Sequence, residues 1–206
     1  MADLPAVLKI RGRRAVVVGG GGVARRRAAA LAAAGAKVEV IAPEVDSVIE
    51  QLGVMTHRRG YETGDLAGAA VVVVATCDAA VNEQVTRDAA EAGVMVNRAD
   101  EPEGGDFIVP AHAHVGPITI AVSTSGISAK AAAVIRDQLI AAMDKDWVKL
   151  LETVQPFRAE AQEKITDADK RTAALHRLTD AEAMQVLKQE GAAALADHCR
   201  RVVDES

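Results

Sequence analysis

Four consecutive glycines, Gly19 to Gly22, follow the β-branched run Val16-Val17-Val18 and precede the alanine-rich stretch Ala28 to Ala34. Valine runs favour strands, alanine favours helices, and a glycine cluster belongs in neither interior. The pattern therefore predicts strand, tight turn, helix. Within it, Gly19-x-Gly21-x-x-Ala24 fits the dinucleotide fingerprint: one glycine turns the chain, the next admits a pyrophosphate to the backbone, and a small residue lets helix lie on strand. Gly35 ends the helix, and Lys37 to Ala42 gives a second strand, closing a β-α-β unit. Glu44, just past that strand, is the acid expected to bind an adenosine ribose. A purely structural glycine turn is the alternative.

Composition narrows the possibilities. Half of the 206 residues are apolar, enough for an α/β domain and a smaller appendage, while aromatic residues are only 2%. Stacking platforms for single-stranded nucleic acid are therefore lacking, and a formal charge of −5 argues against general binding to nucleic acid or to a membrane surface. The two cysteines, Cys77 and Cys199, show no metal-ligand spacing and suit a reducing compartment. Neither a signal-peptide pattern nor a spanning apolar run is present in the sequence, so a cytoplasmic protein is expected.

Further along, Val71 to Val74 reads as a central parallel strand buried on both faces. Thr76 and Asp78 follow it, at the end of the sheet where ligands bind, although Asp78 equally suits the N-cap of a helix over 79–92. Val94 to Val96 is a fifth strand, after which Asn97, Arg98 and Asp100 are expected on one rim. Residues 104–110 are expected to form a sixth strand, and 111–116, with His112 and His114, a loop. A seventh strand ends in the hydroxyl-rich corner Ser123-Thr124-Ser125-Gly126. Ser128 is the expected N-cap of the next helix, and Lys130 and Arg136 lie close in sequence. From Asp144 the pattern is helical, with breaks near Thr166, Thr179 and Gly191. No His, Cys or carboxylate spacing suggests a protein-held metal.

This ordered series resembles the precorrin-2 dehydrogenase and sirohydrochlorin ferrochelatase family, the N-terminal part of siroheme synthase. The matching pieces include Leu4-Pro5, Val18 to Ala24, Ala42-Pro43-Glu44, Ala75 to Asp78, Val81-Asn82, Asn97 to Pro102, Phe107 to Pro110 and Ile120 to Ser128. The resemblance implies an α/β fold, a Rossmann-like parallel sheet over residues 1–111, with a dimerisation region at 112–145 and a helical C-terminal domain at 146–206. It further implies NAD-dependent oxidation of precorrin-2 to sirohydrochlorin by a homodimer, and in many members insertion of ferrous iron.

The family's catalytic aspartate falls on Asp100, and its NAD contacts fall on Gly22, Val23, Pro43 and Glu44, beside Gly19, Gly21, Thr76 and Asp78. A carboxylate beside the macrocycle can serve as a base, or be held in an ion pair with Arg98. For a substrate rich in carboxylates, Asn97, Arg98, His112, Ser123, Thr124, Ser125, Gly126 and Lys130 are the binding candidates; for the histidines a solvated loop is the alternative. Thr124 stands where some members carry a possible regulatory serine. No methyltransferase segment follows, so precorrin-2 is expected from another protein. NAD and NADP are both open, as is chelation. The competing reading is an NAD-sensing regulatory module, which would have no use for the Asp100 loop.

Overall fold

The computed structural model describes residues 4–206, which divide into two compact units, one ending at Val109 and the other Pro110–Ser206. In the first unit the chain runs β1 (Arg14–Val18), α1 (Gly22–Ala33), β2 (Lys37–Ile41), α2 (Ser47–Gln51), β3 (Met55–His57), β4 (Val71–Val74), α3 (Ala79–Ala92) and β5 (Met95–Arg98). The five strands form one sheet in the order β3-β2-β1-β4-β5, and every pairing is parallel. This is the Rossmann-like fold expected from the sequence. Chain order reverses direction between β1 and β4, and at such a switch point the carboxyl ends of the strands leave a crevice.

The valines of β1 and β4 explain why these strands lie at the centre. Alternate side chains point to opposite faces, so Val16, Val18, Val72 and Val74 join Val85 and Ala89 of α3, whereas Val17 and Val73 join Ala24 and Ala28 of α1. Burying each valine stabilises the fold by roughly 1.5–3 kcal/mol before entropy is counted. Alanine at 24 and 28 keeps α1 close to the strands.

Residues 104–110 form no strand. They run along the outer edge of β5, where the Asp106 carboxylate accepts the Val96 N–H at 2.8 Å and the Asn97 amide donates to the Phe107 carbonyl at 2.8 Å. The Asp106 and Phe107 N–H groups also both donate to the Val96 carbonyl, so backbone and side-chain bonds converge on two residues of β5 and no regular ladder forms. Gly105 permits the approach: a Cβ there would lie 2.9 Å from the Arg98 nitrogen and the Val96 oxygen. In the apolar lead-in before β1, Leu4 and Val7 are exposed and Ile10 is buried.

In the second unit the segment expected as a loop is a strand. Ala111–Val115 (β6) pairs antiparallel with Ile118–Val122 (β7) around Gly116-Pro117. Gly116 takes φ +55° at the first turn position, the place glycine fills in a tight hairpin turn, and Pro117 supplies the fixed φ that follows. His112 and His114 consequently share one face of a strand. α4 (Ala129–Ala142) lies on the hairpin, with Ala132 buried. Four helices follow: α5 (Asp146–Lys164), α6 (Ala168–Arg177), α7 (Ala181–Glu190) and α8 (Ala192–Asp204). Their breaks fall where the sequence suggests, and Leu150, Phe157, Leu178, Leu187 and Leu195 build a core of their own.

Candidate active site

The glycine turn leaves β1 with Gly19 at φ +123°, a conformation L side chains rarely adopt, and a Cβ there would lie 2.4 Å from the Ala75 carbonyl oxygen after β4. At Gly20 a Cβ would come within 1.9 Å of the Glu44 carbonyl oxygen, and the Gly20 carbonyl accepts the Asp46 N–H at 2.9 Å. The loop after β2 is therefore seated on the glycine turn. Gly20 was not singled out in the sequence, because its requirement comes from a segment more than twenty residues away. Gly21 and Gly22, by contrast, face open space.

α1 then begins with Gly21 as N-cap, no side-chain cap and no acidic residue in its first turn. Its first N–H groups are left for an external acceptor, and with the helix dipole they favour an anion. Pro43 and Glu44 are exposed beside this turn. Asp46 is otherwise engaged: it caps α2 through the Val48 N–H and pairs with Arg25 at 3.1 Å. A bare glycine cradle, an uncapped helix start and an exposed carboxylate after β2 fit a dinucleotide.

At the ends of β4 and β5 the polar groups are linked to one another. The Asp78 carboxylate caps α3, accepting from Ala80 and Val81 at 2.9 and 3.2 Å, so its capping role is realised. Thr76 donates its hydroxyl to Asn82 Oδ1 at 2.6 Å, and Asn82 Nδ2 donates to Asp100 Oδ2 at 2.9 Å. Asn82 is buried and bridges the two strand ends. In the sequence it stood only as part of a matching dipeptide, since an Asn inside a helix looks solvent-facing.

Asn97 and Arg98 do not share a rim. Strand alternation sends Arg98 to the α3 side and Asn97 to the other. Asn97 is buried, gives its N–H to Phe107, and leaves Oδ1 buried without a partner among the described residues. Arg98, expected to meet substrate, is buried and commits its guanidinium to the protein. Nε and Nη2 bind the two Asp100 oxygens at 2.9 and 2.8 Å, and Nη1 reaches Glu83 at 3.0 Å and Thr86 at 3.3 Å. Nη2 also lies 3.3 Å from Glu101. The guanidinium, foremost, and then the Asn82 amide hold the Asp100 carboxyl far below the usual carboxylate range, outweighing its partial desolvation. Asp100 nevertheless keeps 36% of its side chain exposed, so one face remains open.

The hydroxyl corner belongs to the second unit. Thr124 Oγ1 accepts the Ser128 N–H and lies 3.1 Å from the Ser128 carbonyl, Ser123 Oγ accepts the Ser125 N–H, and Ser128 caps α4 through the Ala131 N–H. Ser125 at φ +49° and Gly126 at φ +81° make the bend. Lys130 is exposed, and His112 bonds the Pro110 carbonyl through Nδ1 at 3.0 Å. Among the described residues no three His, Cys, Asp or Glu side chains cluster as metal ligands, and no helix is long and apolar enough to cross a membrane.

Residues 6–111 match a family described as "Putative NAD(P)-binding". The chain belongs to this NAD(P)-binding family. It is also 36% identical over 175 residues to a siroheme synthase of Azotobacter vinelandii, covering 83% of this chain and 38% of that protein. A siroheme synthase of Nitrosococcus oceani is 34% identical over 170 residues, covering 81% and 36% respectively. The chain thus spans less than two fifths of these relatives' length. Among solved structures, SirC, a precorrin-2 dehydrogenase, superposes with a TM-score of 0.75 at 23% identity, covering 97% of this chain and all of that one, a likeness of fold.

Proposed function

We propose that this member of the NAD(P)-binding family oxidises precorrin-2 to sirohydrochlorin with NAD as acceptor. One observation carries the reading: Asp100, at the carboxyl end of β5, is tied through Asn82 to Thr76 at the end of β4, on the sheet edge that also bears the glycine turn. A carboxylate and a dinucleotide cradle on one edge of a parallel sheet suit a hydride transfer. Likeness to siroheme synthases, by their names makers of siroheme, supplies the substrate class.

In this reading Gly19, Gly21, Gly22 and Val23 receive the pyrophosphate on backbone N–H groups, while Pro43 and Glu44 meet the adenosine. The Glu44 carboxylate binds a ribose hydroxyl and repels a 2′-phosphate, favouring NAD over NADP. When bound, NAD supplies the hydride acceptor. Precorrin-2 loses one hydride and one proton, giving sirohydrochlorin, NADH and a released proton. Asp100 lies beside the macrocycle as the catalytic residue. Ferrous ion is the candidate second substrate, and adding it to sirohydrochlorin with the protein tests chelation.

The chain is taken to act in the cytoplasm as a homodimer through residues 112–145, with 146–206 as the helical domain. Exposed Ile127 and the apolar α4 side chains Val134, Ile135 and Leu139 support that interface. Anaerobic incubation with precorrin-2 and NAD, followed by absorbance, tests the activity. Sirohydrochlorin should accumulate, and Asp100→Ala should lose this while still binding NAD. A folded, NAD-binding protein that leaves precorrin-2 unchanged overturns the reading in favour of a sensor.

A further inference from the structure

The surroundings of Asp100 are more elaborate than a solvent-facing base requires. Arg98 is buried, and its five N–H groups have Asp100, Glu83, Glu101 and Thr86 as acceptors. Two of these bonds form a fork on Asp100, the arrangement that fixes a carboxylate in both distance and plane. From the other side Asn82 adds its amide N–H, and Asn82 is itself held by Thr76. The amide can point only one way, because its oxygen takes the Thr76 hydroxyl and its nitrogen serves the Thr76 carbonyl and Asp100. The Thr76 oxygen in turn accepts the Asp78 N–H, so the chain of bonds ends on backbone.

We propose that Arg98 and Asn82 are positioning residues that fix Asp100 as an oriented anion, so that its part in the dehydrogenation is to hold an N–H-bearing or cationic portion of the substrate and not to take up a proton. The proposal rests on the dehydrogenase reading, and it is the geometry that argues it. A carboxylate whose two oxygens already accept three charge-assisted or amide hydrogen bonds gains little from a proton, since protonation would break at least one arm of the fork. The groups facing Asp100 are Arg98 from β5, Asn82 from α3, and, around the same guanidinium, Glu83, Thr86 and Glu101. The two glutamates are satisfied by Arg98 and leave the Asp100 fork intact. The proton lost by precorrin-2 then passes to another acceptor or to water.

Three variants and one resonance test this. In protein with carbon-13-labelled aspartate, the Asp100 carboxyl signal should stay flat from pH 7 down to about 3, and in Arg98→Met it should titrate near the ordinary value of about 4. At pH 7, Arg98→Met should lower kcat by about 10- to 100-fold with the NAD affinity retained, as expected when a reacting group is displaced. Arg98→Lys keeps a charge but lacks the fork. It should fold, leave Asp100 ionised, and fall between the two. Titration of Asp100 near pH 4 in the parent protein, or a kcat in Arg98→Met or Arg98→Lys equal to or above the parent's, overturns the proposal, because a freed base should work better. Parent-rate turnover in Asp100→Asn overturns it as well, because the carboxylate charge would then have no part in the dehydrogenation, whereas a parent protein that leaves precorrin-2 unchanged overturns the dehydrogenase reading itself.

Discussion

Three polar side chains, Asn82, Asn97 and Arg98, are buried at the carboxyl end of the sheet in the first unit. Within α5 to α8 of the second, His198 alone is buried among the described residues. Helix starts do not divide in this way. α6 and α7 close theirs with Asp167 and Asp180, whereas α1 in the first unit and α8 in the second both open from glycine with neither side-chain cap nor acid. The helices bury chiefly leucine, phenylalanine and valine, with the Nε2 of His198 buried and without a partner among the described residues. At the strand ends, by contrast, polar groups are buried and bonded to one another across elements. Buried polar groups linked across elements are thus gathered at the end of the sheet where a ligand would meet them.

The largest effect that sharpens this contrast is expected at Gly20. Gly20→Ala places a methyl group 1.9 Å from the Glu44 carbonyl, and backbone on both sides cannot yield. It should destabilise the first unit by more than about 3 kcal/mol and remove NAD binding, read by urea denaturation and by dinucleotide titration. Next in size is Leu195→Ala in the core of the helices, which should cost about 3 kcal/mol through the cavity it leaves. Trp147, the single tryptophan, sits in α5 and reports this loss by fluorescence, while NAD affinity should be unchanged. Equal loss of NAD affinity in both variants would break the comparison.

Acid should also separate the regions, by a smaller amount. Asp100, Asp65 and Glu39 in the first unit are held below the usual carboxylate range, chiefly by hydrogen bonds from Arg98, Arg59 and Arg14. A depressed folded-state value means that the stabilisation is present above the unfolded value of about 4 and drains away as pH falls below it. In the helices the lowered groups, Asp144 and Asp167, are exposed and weigh little. On acidification below about pH 3 the first unit should therefore lose its structure before the Trp147 transition moves.

What the sequence displays well is whatever depends on near neighbours. The strands of the parallel sheet, the helix over 79–92, the Ser128 cap and the breaks after α5, α6 and α7 follow from periodicity, glycine and capping residues. Residues 104–110 and 111–116 resisted because both are extended and apolar in part. What decides between them is the Gly116-Pro117 turn and the capture of Val96 by Asp106, the second a contact between elements. The site divides in the same way. The glycine cradle is written in consecutive residues, but the need for Gly20, the Asn82 bridge and the Arg98 fork depends on partners brought together only by folding.

The two cysteines give the smallest and cleanest comparison, since each marks one region. Cys77 is exposed in the loop between Thr76 and Asp78, at the ligand edge of the sheet, and Cys199 is buried in α8. Burial pushes the Cys199 thiol up to about 11. Because the thiolate is the nucleophile, at pH 8 only about one Cys199 in a thousand is reactive even where reagent can reach it. Iodoacetamide should accordingly modify one thiol per chain in the native protein and the second only after denaturation, as counted by intact mass. Saturating NAD should slow the first modification if the dinucleotide lies along the ends of β1 and β4. Rapid native labelling of both thiols would show that the helical core opens easily, and the contrast between a self-satisfied core and an open ligand edge would fail on its helical side.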